Sequence, residues 1–264
     1  MDGAQALIKT LADLGIEYVF GYSGGAALPI FDALETVKTN MKFILVRHEQ
    51  GAVHMADGYA RATGKPAVVL VTSGPGAGNT VTGIMTAQMD SVPMIILTGQ
   101  QVTWMLGKDA FQEADIFNIT APVCKHSYLV KETNALPRIA KEAVHIATTG
   151  RPGPVLIDIP KDISQSPFTG TFDDPMDLPG YHPEDAQKID QIAIKEAARL
   201  LSQSQRPVIL AGQGAMIARA DKELLMLAET LQCPVTTTLL GKGVFPETHP
   251  LALGMLGMHG TAYA

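Results

Sequence analysis

"KFILVRHEQGAVHMADGYAR", residues Lys42 to Arg61, decides the fold. An apolar run, Lys42 to Val46, gives way within three residues to a segment whose side chains repeat at Glu49, Val53, Ala56 and Ala60, the period of a helix. A strand that passes at once into a helix is the building unit of a parallel sheet, because parallel neighbours need a crossover between them. Similar runs occur as "EYVFGY", "AVVLV", "MIILT", "VLIDI" and, later, "PVIL" and "PVTTT". Apolar on both faces and separated by helix-length segments, they predict an α/β fold with a parallel sheet covered by helices on both sides.

The chain of 264 residues is 46% hydrophobic and 17% charged, enough to bury a sizeable core in one large or two smaller domains. A net charge of −6 without Lys/Arg clusters argues against a nucleic-acid or anionic-membrane surface. Cys124 and Cys233 lie far apart in no ligand-like spacing, so neither a disulfide framework nor a cysteine metal site is expected. No basic segment precedes an apolar signal core, and no apolar stretch approaches the roughly 20 residues that span a bilayer. A cytoplasmic protein acting on small molecules is expected. Between Ser164 and Asp185, four prolines and two glycines deny both helix and ladder hydrogen bonds. The expected organisation is a first domain at 1–163, a linker at 164–186 and the start of a second α/β unit at 187–264, opening with the helix "KIDQIAIKEAARLLSQ". No repeat at solenoid spacing interrupts this pattern.

In an open parallel sheet, ligands bind beyond the carboxyl ends of the strands. Three crossings there stand out: "GYSGGAALPI", "RHEQG" and "TSGPGAGN". They should converge on one rim. Glu49 at the second crossing has an ordinary explanation, since a carboxylate in the first turn of a helix is favoured by the macrodipole by roughly 0.3–1 kcal/mol. Yet it stands on the small, apolar face of that helix, whereas Asp57 and Arg61, spaced for an i,i+4 pair, read as the solvated face. A charge on a packing face invites a chemical reason. Zinc is not that reason, because His48 and His54 are six apart and point to different faces, where zinc-protease histidines are four apart. "GPGAG" could cradle a pyrophosphate, but the acidic residue that should end the next strand and hold a ribose is replaced by Gly99-Gln100, and no Gly-Lys-Ser/Thr follows any glycine loop.

"FGYSGGA", "RHEQGAVHMADGYAR", "TSGPGAGN", "DAFQEADI", "GRPGPVLIDIPKD" and "LGMLGMHGT" together resemble the large subunits of acetohydroxyacid synthase, or acetolactate synthase, in the thiamine-diphosphate enzyme superfamily. The resemblance runs from end to end. "RHEQGA" with "TSGPG" marks the superfamily's pyrimidine-binding domain; "DAFQE" and "LGMHGT" are particular to this synthase. The resemblance implies a fold of pyrimidine-binding domain followed by a central domain, and a reaction in which pyruvate loses carbon dioxide and its two-carbon unit joins a second 2-keto acid. Glu49 matches the glutamate that shares a proton with N1′ of the cofactor's aminopyrimidine. Tyr22, Ser23, Gly24 and Gly25 match the loop near the pyrimidine and the reacting carbon, and Pro75 and Asn79 match residues lining the ring. Gln112 matches a polar group reaching into the active site, with Phe111 beside it and Lys161 near the substrate channel.

The resemblance also implies a bound FAD without net redox work, contacted by Arg151, by Gly212, Gln213 and Gly214, and by Met258, His259, Gly260 and Thr261. Taken singly, these positions read as turns, helix starts and surface residues. Family members hold magnesium and the diphosphate in a further domain marked by Gly-Asp-Gly and a downstream asparagine pair. Neither mark occurs here, so no metal ligand is assigned and the chain is expected to be the N-terminal part of a longer polypeptide, inactive alone. The implied partners are a second catalytic subunit, in a homodimer or tetramer, and a regulatory small subunit. Two departures bear on substrate preference and inhibitor sensitivity: Ser23 stands where many members have proline, and Gln101-Val102-Thr103-Trp104 replaces a run with Val-Pro. A flavin-free catabolic synthase, a sulfoacetaldehyde-type acetyltransferase and a non-catalytic partner-binding domain remain as alternatives.

Overall fold

A computed structural model describes residues 1–179 and 189–264; the end of the expected linker and the first residue of the helix expected after it lie outside these. The chain divides into two compact units, 1–186 and 187–264.

In the first unit the strands are β1 (Tyr18–Tyr22), β2 (Lys42–Leu45), β3 (Ala67–Val71), β4 (Met94–Gln100), β5 (His126–Leu129) and β6 (Pro154–Pro160). They form one sheet in the order β2-β1-β3-β4-β6-β5, with every pairing parallel. The helices are α1 (Gly3–Asp13), α2 (Leu28–Thr36), α3 (Glu49–Thr63), the short α4 (Pro75–Gly78), α5 (Val81–Met89), the short α6 (Ile116–Thr120), α7 (Leu136–Thr148) and the short α8 (Lys161–Gln165). Because side chains alternate along a strand, the inner strands β1, β3, β4 and β6 each feed two cores. Val19, Val68, Leu70, Ile95, Leu97, Val155 and Ile157 face α1, α2 and α7. Phe20, Val69, Val71, Ile96 and Leu156 face α3 and α5. The expected parallel sheet with helices on both faces is what the chain forms.

Local signals set the helix ends. Asp2 and Gln5 close a reciprocal capping box on α1, the Asp2 carboxylate accepting from the Gln5 N–H at 2.8 Å. His48 caps α3 with its Nδ1, and Gly64, at φ 72°, ends that helix in the left-handed conformation. β2 departs from expectation. Its four residues are all exposed, because it is an edge strand.

The second unit holds α9 (Gln191–Gln203), β7 (Ile209–Ala211), the short α10 (Gln213–Ile217), α11 (Asp221–Leu231), β8 (Val235–Thr237) and β9 (Ala252–Met255). Its three strands pair in parallel in the order β7-β8-β9 over a small core of Ala211, Ala228, Val235, Val244 and Phe245. No residue of α9 is buried.

Candidate active site

The chain leaves β1 for β2 on one side of the sheet and returns to β3 on the other. Such a reversal opens a crevice at the carboxyl ends of the two strands, where an open α/β sheet takes its ligand. The loops there are in close contact. A Cβ placed on Gly24, after β1, would lie 2.6 Å from Thr72 Cβ, after β3, and one on Gly76 would lie 2.7 Å from Thr72 Cγ2 and 3.3 Å from Glu49 Oε1. The three crossings do converge, and only glycines permit the approach.

Glu49 opens α3 and is 9% exposed. Its Oε2 accepts from Asn79 Nδ2 at 3.0 Å, while Oε1 has no hydrogen-bond partner among the described residues. Two further polar atoms, on the segment that follows β3, are unsatisfied. Thr72 Oγ1 and Ser73 Oγ are buried without a partner, a costly arrangement for hydroxyls unless something else hydrogen-bonds them. Neither residue is among the sequence-derived candidates, because their isolation depends on packing across three loops. A carboxylate oxygen and two hydroxyls, spared by the protein and walled by glycines, suit a flat heterocycle with ring nitrogens and an amino group. Tyr22 and Ser23 lie exposed at the end of β1, Pro75 and Asn79 are exposed on the same rim, and nothing approaches a Cβ on Gly25.

Asp57 corrects one expectation. It does pair with Arg61, Oδ1 to Nε at 2.5 Å, but it is 7% exposed rather than solvated. Arg61 also reaches Asp90 at the end of α5, 2.6 Å away, so the packing of α5 on α3 covers the acid.

Phe111 and Gln112 lie on the loop between β4 and α6. This loop touches the crevice through backbone: a Cβ on Gly74 would meet Gln112 O at 2.6 Å. Gln112 itself has φ 57°, and Phe111 is 82% exposed. The Glu113 carboxylate accepts from the N–H groups of Gly107 at 2.5 Å and Ala110 at 2.8 Å, which hold it below the usual carboxylate range. Lys161 follows β6 directly on the same rim. Beneath the loop, buried Asp158 accepts from Thr98 Oγ1 at 2.7 Å and Gln100 Nε2 at 2.9 Å. Desolvation pushes this carboxyl up to about 7, against those two bonds, with Asp115 adding to the rise.

Arg151 is not brought to this rim. It precedes β6, and a seven-residue strand separates the two ends of the sheet by roughly 20 Å. Its guanidinium donates to Ser91 Oγ at 2.7 Å and to the carbonyls of Gln88 and Met89, closing the C-terminus of α5. The remaining candidates belong to the second unit. Gly212 follows β7, with Gln213 and Gly214 opening α10, and a Cβ on Gly212 would lie 3.8 Å from Thr238 Oγ1 after β8. Thr237 Oγ1, at the end of β8, is buried and unpartnered. Beyond β9, Met258 and His259 are exposed, Gly260 closes a turn on Gly257, and Thr261 folds back so that its Oγ1 donates to Leu253 O at 2.8 Å.

Residues 1–119 match the family model of the thiamine pyrophosphate enzyme N-terminal TPP binding domain, and residues 194–264 match that of the thiamine pyrophosphate enzyme central domain. The chain is similar to the acetolactate synthase large subunit of Buchnera aphidicola subsp. Acyrthosiphon pisum (strain APS), 50% identical over 263 residues that cover 99% of this chain and 46% of that protein. It is 52% identical over 269 residues to the acetolactate synthase of Arthrospira platensis, with the same coverage. It is also 52% identical over 267 residues to the probable acetolactate synthase large subunit of Methanocaldococcus jannaschii, covering 100% of this chain and 44% of that protein. The chain thus spans less than half the length of each relative. Among the described residues, no helix is long and apolar enough to cross a membrane.

Proposed function

This chain belongs to the thiamine pyrophosphate enzymes, and from that premise we propose that it supplies the pyrimidine-binding side of an acetolactate synthase active site, in which pyruvate is decarboxylated and joined to a second 2-keto acid on the route to branched-chain amino acids. The observation that carries the reading is Glu49: a carboxylate withdrawn from water at the topological switch point, steadied on one oxygen by Asn79 and open on the other. Thiamine diphosphate, when bound, supplies a carbon nucleophile and takes up the electrons released with carbon dioxide. With the cofactor bound, Glu49, largely withdrawn from water, would hold a ring nitrogen of the pyrimidine by sharing a proton with it. Thr72 and Ser73, whose hydroxyls are left unpartnered by the protein, would be further polar partners for it. Gly24 and Gly76 keep the space clear of side chains, while Gln112 and Lys161 present polar groups to the substrate from the neighbouring loop and helix.

Magnesium and the diphosphate belong, in this reading, to the part of the relatives' length beyond this chain. FAD belongs to the carboxyl edge of β7 and β8, where the orphaned Thr237 hydroxyl and the Gly212 backbone support it, with the Met258–Thr261 segment of the same unit. The active assembly is a dimer or tetramer of catalytic subunits with a regulatory small subunit, in the cytoplasm. Supporting this are the exposed apolar side chains Leu45, Met55, Met85 and Met89, relatives named as large subunits, and two buried free cysteines, as in a reducing compartment. The test is acetolactate formation from pyruvate by the complete protein that carries this sequence, with thiamine diphosphate and magnesium. Pyruvate consumed with release of free acetaldehyde, or not consumed, would overturn the reading.

A further inference from the structure

Asp158 is 1% exposed, and among the described residues neither Lys, Arg nor His is one of its partners. A carboxyl group in such a place costs more than an apolar residue of similar size, so something must hold it there. Its register partner on β4 is Thr98, which donates to Oδ1, and Oδ2 accepts from Gln100, also buried, two residues further along β4. The Gln100 amide is fully used. Nε2 donates to Asp158 and also to Ala114 O at 2.8 Å, and Oε1 accepts from the Gln101 N–H at 2.8 Å. Gln101 and Ala114 stand at the two ends of the loop that carries Phe111 and Gln112. Asp158 is one of three partners that agree on which way the amide faces: turned over, the amide would present a carbonyl to Asp158 and to Ala114 O and a donor to the Gln101 N–H. Without Asp158 the amide loses its anchor on β6 and swings with the loop it holds.

The rest of the loop is fastened to the same strand and to itself. Asp162, just past β6, accepts from Thr103 N at 2.9 Å and Thr103 Oγ1 at 2.6 Å. Gln101 Nε2 donates to Phe111 O at 2.5 Å, and Glu113 gathers the 107–110 turn. Through Gly74, the loop rests on the glycine segment that touches Glu49. We infer that Asp158 and Gln100 are a buried positioning pair whose hydrogen-bond polarity sets the height of the 101–115 loop, and with it Phe111 and Gln112, over the Glu49 crevice. Neither residue touches the reacting atoms. What matters at 158 is an acceptor aimed at Gln100 and a partner for Thr98; Asn provides both, its Oδ1 accepting from Gln100 and its Nδ2 donating to Thr98 Oγ1.

Trp104, the single tryptophan of the chain and 64% exposed, lies in the loop and reports on it directly. Asp158→Ala should raise acrylamide quenching of Trp104 about two-fold and speed amide exchange at 101–115 while β3 and β4 stay protected, as expected when one local unit opens. Asp158→Asn should match the wild type. Gln100→Met, which leaves Asp158 paired with Thr98, should loosen the loop as Asp158→Ala does, and decides the matter if the alanine variant fails to fold. A folded Asp158→Ala or Gln100→Met protein with wild-type quenching and exchange would overturn the inference, as would an asparagine variant as loose as the alanine one. The catalytic consequence rests on the carboligase reading: in the complete enzyme, Asp158→Ala should lower kcat/KM for the 2-keto acids by roughly 10–100-fold, the cost of a displacement near 1 Å, with asparagine restoring it. A wild-type enzyme without carboligation would count against that reading alone, since the loop measurements decide the positioning pair by themselves.

Discussion

Asn79 Nδ2 meets Glu49 Oε2 at 3.0 Å, joining the helix that follows β2 to the glycine turn that follows β3. The bond fixes the carboxylate plane and leaves Oε1 toward Gly76. Glu49→Gln keeps the size of the side chain and its hydrogen bonds but cannot share a proton. In the complete enzyme it should lose roughly 10²–10⁴ in the rate of acetolactate formation with its melting temperature unchanged. Wild-type rates in the variant would remove Glu49 from the chemistry. Asn79→Ala, which frees the carboxylate without removing it, should cost less.

Gly74 is the seat of the Phe111–Gln112 loop. Its φ of 57° with ψ of −120° is closed to residues with a side chain, and a methyl group there would strike Gln112 O. Gly74→Ala should therefore destabilise the first unit by roughly 1–3 kcal/mol in urea unfolding and displace the loop. An unchanged midpoint would mean that the loop is not seated on this glycine.

The central strands are legible because β3, β4 and β6 are short β-branched runs buried on both faces, a pattern only a covered parallel sheet explains. β5 and β9 are not. "HSYL" has no β-branched residue, and "ALGM" carries Gly254 at φ 78° beside a register shift. The exposure of "KFIL" follows from strand order, which local composition does not encode. Glu49 and its glycine loops are readable because carboxylate and turn chemistry sit at strand ends in the chain itself. The Thr98-Asp158-Gln100 network needs residues about 60 positions apart to be brought into register, so no local pattern announces it.

Arg151 tests the flavin assignment against a structural role. Its three hydrogen bonds close α5 whether or not a flavin is present, so Arg151→Ala should lower the melting temperature of the chain. The complete wild-type enzyme should also purify yellow, and the variant should lose flavin absorbance at temperatures where it is still folded, through loss of a charge-assisted bond. A variant that melts earlier but keeps its flavin would confine Arg151 to helix closure. A colourless, fully active wild type would overturn the FAD assignment itself.

Asp158 should leave its mark on the pH dependence of stability. Burial raises its folded-state pKa to about 7, from an unfolded value near 3.9, so the folded chain binds this proton more tightly than the unfolded one. The sign follows: the contribution is fully present below about pH 4, is lost as pH rises toward 7, and changes no further above that. In that window the stability of the first unit should fall by up to about 1.4 kcal/mol per pH unit from this group alone, set against the other carboxylates, which mostly act the other way. Asp158→Asn has no proton to release and keeps both hydrogen bonds, so its stability relative to wild type should grow steadily between pH 4 and pH 7. Urea unfolding of the two proteins at half-unit steps reads the difference directly. A constant difference across that range would mean that Asp158 stays ionised in the fold, the hydrogen bonds from Thr98 and Gln100 outweighing its desolvation.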